Sequence, residues 1–247
     1  MGMRNLLISL VAVVLSFAGG FFLANAINRT DINNLRAENE RLKTNQADEQ
    51  NKTSDSSLTD DEIASKIAEA DQQPQNFDFQ KRLGLALYKY GAMKQDADVI
   101  NDSIKLLQRA DELQNNDHEV IVGLGNAHFD IGYFKKRNDE LLQARTFYER
   151  ALKQAPGDAE IRTDLALTYF LTDPPDDDKA TAGFKEALKI DPKQEKALEF
   201  IIQSLIRANK KDDAAGYLDQ LKKANPRSEA IAGLTAKLNE TPGSNPK

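Results

Sequence analysis

The feature that most constrains the fold of this chain is a short apolar pair that recurs at a fixed interval. Leu83-Gly84, Leu124-Gly125 and Leu165-Ala166 begin at positions 83, 124 and 165, so the interval is 41 residues in both steps. A second amphipathic segment follows each pair. Prolines close the second and third units and a fourth, shorter one, at Pro156, Pro192 and Pro226. This fixed-period similarity predicts stacked helical hairpins, because a single hairpin cannot bury its apolar face alone.

The residues at the recurring positions have physical reasons of their own. Gly or Ala in each pair lets the partner helix approach closely, and the large residues that follow fill the gap between neighbouring hairpins. Proline has no amide hydrogen and disfavours helical geometry in the residue before it, so it ends the second helix of a unit. These residues predict an all-helical array.

The second unit has the fullest set of markers and resembles the tetratricopeptide repeat family, which has two helices per unit. Its markers are Leu124, Gly125, His128, Gly132, Ala144, Phe147, Tyr148, Ala151 and Pro156. His128 stands where the family has tyrosine, and in the first unit Asn115 stands where the closing proline is expected. The resemblance covers residues 75–240 and implies an all-α fold, a solenoid of about four helical hairpins.

The first two units are about seven residues longer than the family period of about 34 residues. Seven residues are close to two helical turns, so one extra turn in each helix keeps the apolar faces in register. A loop insertion is the alternative. We expect two long hairpins followed by two of ordinary length. Pro174-Pro175 and Asp176-Asp177-Asp178 are expected to form a turn in the third unit.

The N-terminal region contains one long uncharged stretch, residues 6–24. Its length suits a helix that crosses a hydrocarbon core of about 30 Å, which predicts a membrane anchor over residues 1–27. A cleaved signal peptide is the alternative, because Ala24-Asn25-Ala26 offers a small-x-small site and the mature chain would begin at Ile27. The apolar stretch is longer than the 7–15 residues usual in such signals, which favours the uncleaved anchor.

Two patterns near the anchor indicate self-association. Small residues recur at every fourth position of the anchor, and a two-heptad seam follows in a predicted stalk helix, residues 28–43. These residues are Ala12, Ser16, Gly20 and Ala24 in the anchor and Ile32, Leu35, Asn39 and Leu42 in the stalk. A parallel homodimer is one interpretation; a solvated amphipathic stalk is the other. Residues 44–58 are polar and predict a flexible linker.

Helices that cap the array are predicted at both ends. Thr59 and Glu62 have the spacing of a capping box, and Leu58 and Ile63 that of a hydrophobic staple. The buried face of this first helix is predicted at Ile63, Ile67 and Ala70, packing on the first hairpin. A final amphipathic helix is expected over residues 228–239. The repeat domain with its caps thus spans 59–239, and 240–247 form a disordered tail.

The sequence gives little support for catalysis. The chain has two histidines, His118 and His128, and no cysteine. We interpret His128 as a packed, hydrogen-bonded substitute for tyrosine. The run Asp176-Asp177-Asp178 lacks the alternating ligands and the glycine of a cation-binding loop, so we interpret it as a solvated turn.

Other function classes are excluded by composition and motifs. The net charge of −6 and the lack of a basic stripe argue against nucleic acid as a partner. No glycine-rich phosphate loop follows a strand. We therefore predict that the chain is not an enzyme and has no cofactor or metal. The competing interpretation is an enzyme with an unrecognised site, which would show convergent acid, base or metal groups in a pocket.

The resemblance implies a binding site as well as a fold. In this family the first helices of successive hairpins line a concave groove that holds a protein or peptide ligand. The marker positions assign twelve residues to it: Lys81, Tyr88, Lys89, Val122, Asn126, Phe129, Asp130, Arg162, Phe170, Leu171, Gln203 and Arg207. Aromatic residues flanked by lysine, arginine and asparagine suit an extended peptide, including one with acidic groups.

The positive charges on either side of the predicted anchor bear on which side of the membrane the repeats lie. Arg4 precedes the apolar stretch, while Arg29, Arg36, Arg41 and Lys43 follow it. A literal count of positive charges places the repeats in the cytoplasm. A stretch so close to the N-terminus commonly leads the rest of the chain outward, and we expect the repeats on the periplasmic face. Anchored repeat proteins of this kind serve in cytochrome c maturation, cell-wall synthesis, secretion and pilus assembly, and the sequence does not choose among these roles.

Overall fold

The structure is a computed structural model that describes residues 59–240. The predicted anchor, stalk and linker (1–58), with their self-association residues and Leu58, lie outside the described residues, as does the tail beyond Glu240. Contacts divide the chain into two compact units, Met1–Gln72 and Gln73–Lys247. Within the described range every regular element is an α-helix. No helix in this range is long and apolar enough to cross a membrane.

The described part of the first unit is one helix, α1 (Asp60–Asp71). Its start is the predicted capping box. The backbone amide of Glu62 donates to Thr59 Oγ1 at 3.2 Å, and the backbone amide of Thr59 donates to Glu62 Oε2 at 2.9 Å. Ile63 and Ala70 are buried and Ile67 is half-buried, so the predicted face is confirmed. The packing of α1 on the first hairpin stays a prediction.

The second unit contains four successive helical hairpins and a final helix. The helices are α2 (Phe77–Lys94), α3 (Ala97–Leu113), α4 (His118–Lys135), α5 (Asn138–Gln154), α6 (Ala159–Leu171), α7 (Asp177–Ile190), α8 (Glu195–Arg207), α9 (Lys211–Ala224) and α10 (Ala230–Asn239). Hairpins pair α2 with α3, α4 with α5, α6 with α7, and α8 with α9, and the second helix of each of the first three hairpins also contacts the next first helix. The four hairpins expected from the repeat are therefore present.

The extra residues of the first two units lie within the helices. The helices α2 and α4 have 18 residues each, and their partners α3 and α5 have 17. In the later hairpins, α6 and α8 have 13 residues and α7 and α9 have 14. The expectation of two long hairpins followed by two ordinary ones is confirmed. A rise of about 1.5 Å per residue makes the longer helices about one turn longer.

Aspartate and asparagine side chains begin several of these helices by accepting a backbone N–H of the first turn. The residues that do so are Asn76, Asp96, Asp117, Asp158 and Asp176. The structure corrects the predicted turn over Asp176-Asp177-Asp178. Only Asp176 lies before α7, while Asp177 and Asp178 belong to the first turn of this helix. Negative side chains are favoured there by the partial positive charge at a helix N-terminus.

Close contact between paired helices explains the small residues of the repeat. A Cβ added at Gly125 would lie 2.8 Å from Tyr148 Cδ1, which is closer than packed atoms tolerate. The third unit reaches the same closeness from the opposite helix, because a Cβ at Gly183 would lie 2.7 Å from Ala166 Cβ. Gly183 in the partner helix α7 thus compensates for Ala166, which stands where the first two units have glycine.

The final helix covers the end of the array as expected. α10 contacts both α8 and α9, and it buries Leu234. It begins at Ala230, two residues after the predicted start, because the preceding Ser228 still belongs to the turn after Pro226.

Candidate functional site

The first helices of the hairpins form one continuous face. In addition to its own partner helix, each of α2, α4 and α6 directly contacts the next first helix, so the series runs unbroken to α8. Side chains that point away from the partner helices therefore lie side by side along the array. We call this surface, made by α2, α4, α6 and α8, the first-helix face.

All twelve residues predicted for a groove lie on these four helices. They differ in exposure. Lys89 and Arg207 are exposed, and half-buried residues are Lys81, Val122, Arg162, Phe170, Leu171 and Gln203. Buried residues are Tyr88, Asn126, Phe129 and Asp130. Their role in binding stays a prediction.

Two of the buried residues predicted for the groove connect the first hairpin to the second. The hydroxyl of Tyr88 in α2 donates to Asp130 Oδ2 in α4 at 3.0 Å. Burial raises the pKa of Asp130 to about 7, against the opposing effects of this hydrogen bond and of the charge on Lys196. A carboxyl group with such a pKa is ready to gain or lose a proton near neutral pH.

Asn126 and Phe129 contact their own hairpin. Asn126 Oδ1 accepts a hydrogen bond of 2.9 Å from the hydroxyl of Tyr148 in α5. The ring of Phe129 lies tilted against the ring of Tyr148, with 6.5 Å between the centroids. Burial raises the pKa of Tyr148 well above its ordinary value, so its hydroxyl remains a donor. These contacts hold Asn126 and Phe129 in place beneath the first-helix face at the second hairpin.

Two of the predicted cationic residues of the face, Lys81 and Arg207, are paired with carboxylates of the chain itself. Lys81 Nζ lies 2.9 Å from Asp117 Oδ2 and 2.6 Å from Glu119 Oε2, both at the start of α4. Burial opposes the charge of Lys81, but the hydrogen bonds with Glu119 and Asp117 outweigh it and raise the pKa of Lys81. Lys81 thus ties α2 to α4.

Arg207 makes a comparable connection near the other end. Its guanidinium binds both carboxylate oxygens of Asp177 in α7 and donates to the backbone oxygen of Phe170 at 3.1 Å. The same group lies 4.0 Å from the centre of the Phe170 ring, which in turn packs edge-on against Phe200. Arg162 donates to the backbone oxygen of Pro156 at 2.8 Å.

The structure adds carboxylates that the sequence reasoning did not assign to the face. Lys196 Nζ of α8 lies 2.5 Å from Asp164 Oδ1 of α6, and both side chains are largely buried. Although Glu160 is exposed, packing around its carboxyl and the charge of Asp164 raise its pKa to about 7. Burial and the charge of Glu195 raise the pKa of Glu199 to about 7 as well.

A sequence signal for these carboxylates was present. Acidic residues four apart open both later first helices, as Glu160 with Asp164 in α6 and as Glu195 with Glu199 in α8. Residues four apart share one face of a helix. The pairs therefore lie on one side of each helix, and the contact of α6 with α8 brings the two helices together.

The remaining chemical candidates have structural roles. His128 Nδ1 lies 2.6 Å from Glu140 Oε2, and its ring stacks on Phe147 with a centroid distance of 5.5 Å, which confirms a packed, hydrogen-bonded histidine. His118 Nδ1 lies 2.9 Å from Gln154 Oε1. Within residues 59–240 no three histidine, cysteine or acidic side chains are grouped so as to hold a metal ion.

Comparison with known proteins matches the last part of the described chain to a known type of repeat. Residues 178–238, from α7 to α10, match the sequence profile described as tetratricopeptide repeat. No curated protein matches the chain. The structure is similar to the crystal structure of the MamA protein, with a TM-score of 0.54 and 22% identity over 67% of this chain and 82% of that chain.

A second solved structure supports the same fold. TTC0263, a thermophilic TPR protein of Thermus thermophilus, is similar with a TM-score of 0.52 and 14% identity, over 71% of this chain and 96% of that chain. Identities this low show a shared fold and carry no information on ligands.

Proposed function

We propose that this chain, which carries tetratricopeptide repeats, is a non-catalytic scaffold that binds a protein partner along its first-helix face. The observation that carries the proposal is the direct contact of successive first helices, which makes one extended surface from four hairpins. Stacked hairpins of this type typically present such surfaces to other proteins. The partner would lie along the array as an extended segment.

We further propose that the scaffold is tethered to a membrane at the cell envelope, with the repeats on the periplasmic side. The support is the uncharged stretch 6–24, which lies outside the described residues. Its length matches a single membrane-spanning helix. In the second version of this proposal, cleavage after Ala26 releases a soluble periplasmic adaptor that begins at Ile27.

Site-specific photo-crosslinking tests the binding face. A photoreactive residue would replace Lys89, Leu171 or Gln203, which lie on first helices and retain exposure. Matched control positions are Asp98 and Glu149, which are exposed on second helices. We expect one protein to be recovered in membranes from the face positions and not from the control positions. Equal recovery from both sets, or recovery from the control positions alone, would contradict the proposed face.

Protease treatment of intact cells, spheroplasts and lysed spheroplasts tests the location. Periplasmic repeats should be degraded once the outer layers are opened, before the inner membrane is lysed. Degradation only after lysis would place the repeats in the cytoplasm. N-terminal sequencing of the purified protein distinguishes the tethered form from an adaptor that begins at Ile27.

A further inference from the structure

We propose that a step in the repeat array, where the second hairpin extends beyond the third, is an interface with a second copy of this chain. We call this step, lined by Tyr133 and Leu142, the ledge. The interface is separate from partner binding along the first-helix face. Three features support it: the position of the extra helical turn, two adjacent exposed apolar side chains, and opposite charges on the two levels of the step.

The extra residues of the second hairpin lie at the turn that joins its two helices. The first helices α4 and α6 begin equally far before Leu124 and Leu165, but α4 continues for eleven residues after its leucine and α6 for six. The second helices α5 and α7 end equally far after Ala151 and Ala187, but α5 begins thirteen residues before its alanine and α7 ten. At about 1.5 Å per residue, the second hairpin therefore extends about 5–8 Å beyond the third.

The extra turn is covered on one side only. Toward the first hairpin, Ile131 of α4 belongs to a core shared by both hairpins, and Phe134 and Ala92 pack against this core. Toward the third hairpin, no described helix continues beside the extra turn. The side chain of Asn138 instead fastens the base of the step, because it donates to the backbone oxygen of Asp173 at 2.8 Å and accepts from the Asp173 amide at 3.1 Å.

Tyr133 and Leu142 project together from the uncovered side. Gly132 and Leu141 form the close contact between α4 and α5, where a Cβ added at Gly132 would lie 2.8 Å from Leu141 Cγ. Tyr133 and Leu142 each follow one member of this pair. Because the two helices are antiparallel, one residue further turns both side chains to the same side of the hairpin. Ile131, one residue before Gly132, is turned to the opposite side.

The side that carries this apolar pair is the side of the third hairpin. Arg145, three residues after Leu142 and on the same side of α5, donates to Thr168 of α6 at 2.9 Å. The exposed fraction is 44% for Tyr133 and 55% for Leu142, and among residues 59–240 only Ile190, at 42%, is a comparably exposed large apolar residue. Two such side chains side by side form an apolar patch that association would bury.

The two levels of the step carry opposite charges that the chain leaves available. On the upper level Lys135 and Lys136 are exposed, and neither forms an ion pair within residues 59–240. On the lower level Asp173 is exposed and has no ion pair in that range, and the side chain of Asp178 is 93% exposed with Lys210 Nζ at 3.7 Å. The other charged residues at these two turns are paired within the chain: Arg137, Asp139, Glu140, Asp176 and Asp177.

A step of this kind is complementary to itself about a two-fold axis. The long hairpins of each copy would lie over the short hairpins of the other, so that the two apolar pairs meet at the axis. The two lysines of one copy would then face the two aspartates of the other, which makes the same favourable contact twice. A flat anionic membrane surface would contact the lysines but leave the apolar pair and the acidic lower level uncovered.

Cysteine crosslinking of the purified full-length chain tests the interface. The chain has no cysteine, so Leu142→Cys introduces a single thiol beside the proposed axis. We expect a short bismaleimide to give a product of twice the mass of the chain on a denaturing gel. Ile190→Cys is the matched control, because Ile190 is a similarly exposed apolar residue at the end of α7 away from the ledge. It should give about tenfold less product, since two thiols are held close together only at an interface.

Charge reversal tests the pairing between copies. In the Leu142→Cys chain, Lys135→Glu/Lys136→Glu should lower the crosslinked fraction about fivefold, because like charges would face each other across the axis. Adding Asp173→Lys/Asp178→Lys should restore the product, since the opposite charges are then exchanged between the two levels. Circular dichroism of each variant checks that these exposed substitutions leave the helices intact.

The matched charge control is Lys222→Glu/Lys223→Glu, at two consecutive exposed lysines of α9. It changes the net charge equally and should leave the crosslinked fraction unchanged. An equal loss in this control, or no loss on reversal at the ledge, would overturn the charge pairing. Equal products from Leu142→Cys and Ile190→Cys would show random collision or a dimer held elsewhere, and absence of product from Leu142→Cys would exclude the interface. A product of another mass in membranes would assign the ledge to a different protein.

Discussion

Tyr88 and Asp130 form a buried hydrogen bond of 3.0 Å between the first helices of adjacent hairpins. Burial, followed by the charge of Asp130, raises the pKa of Tyr88 well above its ordinary value, so the phenol remains the donor. The pair joins α2 to α4 directly. It also retains a carboxyl group, with a pKa of about 7, in the face proposed to bind a partner.

The pKa of Asp130 predicts how stability changes with pH. Its value is about 7 in the folded chain against 3.8 ordinarily, so the folded state binds more protons between these values. The free energy of unfolding should therefore fall as pH rises from about 4 to about 7, by a few kcal/mol from this group. In Asp130→Asn the fall should be shallower, with Glu160 and Glu199 supplying the remainder. Urea unfolding at about pH 5 and pH 8 measures the pH dependence of the unfolding free energy for the unchanged protein and for Asp130→Asn.

The control for this prediction is Asp98→Asn, at an exposed position of α3. It should reproduce the pH dependence of the unchanged protein. If the unfolding free energy of Asp130→Asn depends on pH as steeply as that of the unchanged protein, Asp130 is ionised at little cost in the folded state.

The contact between Ala166 and Gly183 predicts a second result. In Gly183→Ala the two Cβ atoms would lie 2.7 Å apart, so the helices α6 and α7 must separate. Overpacking costs about 1–3 kcal/mol, which exceeds the gain of about 1 kcal/mol from replacing a helical glycine. We expect a net loss of stability. The double variant Ala166→Gly/Gly183→Ala should recover much of the packing loss, as measured by urea unfolding.

Gly216→Ala is the matched control in a helix of similar length. A Cβ at Gly216 meets no atom within 4 Å. This variant should gain about 0.5–1 kcal/mol because alanine favours the helix. Equal effects at positions 183 and 216 would contradict the close-packing explanation.

The sequence predicts the architecture well because its determinants are local and periodic. The interval of 41 residues predicted the first three hairpins, the spacing from Pro192 to Pro226 predicted the fourth, and the two-turn argument predicted where the extra residues lie. Thr59 with Glu62 marked a helix start that the structure confirms. Asp177 was misassigned to a turn because an acidic run fits the first turn of a helix as well as a loop.

The site was less predictable because it depends on which side chains meet between helices. The marker positions of the repeat placed Lys81 and Arg207 on first helices. They could not show that Lys81 forms an ion pair with Glu119 and that Arg207 forms one with Asp177. Gly183 was overlooked for the same reason, since its importance depends on Ala166 in the partner helix.

Arg145 predicts a third result, at the junction of the second and third hairpins. Its guanidinium lies 3.9 Å from the centre of the Tyr169 ring and donates to Thr168 Oγ1 and to the Thr168 backbone oxygen, each at 2.9 Å. Lysine cannot stack and donate in this planar geometry. Arg145→Lys should lower the unfolding free energy by about 1 kcal/mol. Arg227→Lys, at an exposed position, should have no effect, and equal stability of the two variants would contradict the role of Arg145.

The pair of His128 and Glu140 predicts the last result. The Nδ1 to Oε2 distance of 2.6 Å joins α4 to α5, and His128 Nε2 is buried without a hydrogen-bond partner among the described residues. In Glu140→Ala the buried imidazole would lose its one hydrogen bond, and Arg137 would lose an ion pair at 3.3 Å. We expect a loss of about 1–3 kcal/mol in thermal or urea unfolding.

Glu149→Ala removes an exposed glutamate from the same helix, so helix propensity changes equally in both variants. Because only Glu140 supports a buried group, a similar loss in the two variants would show that the His128 pair does not stabilise the second hairpin.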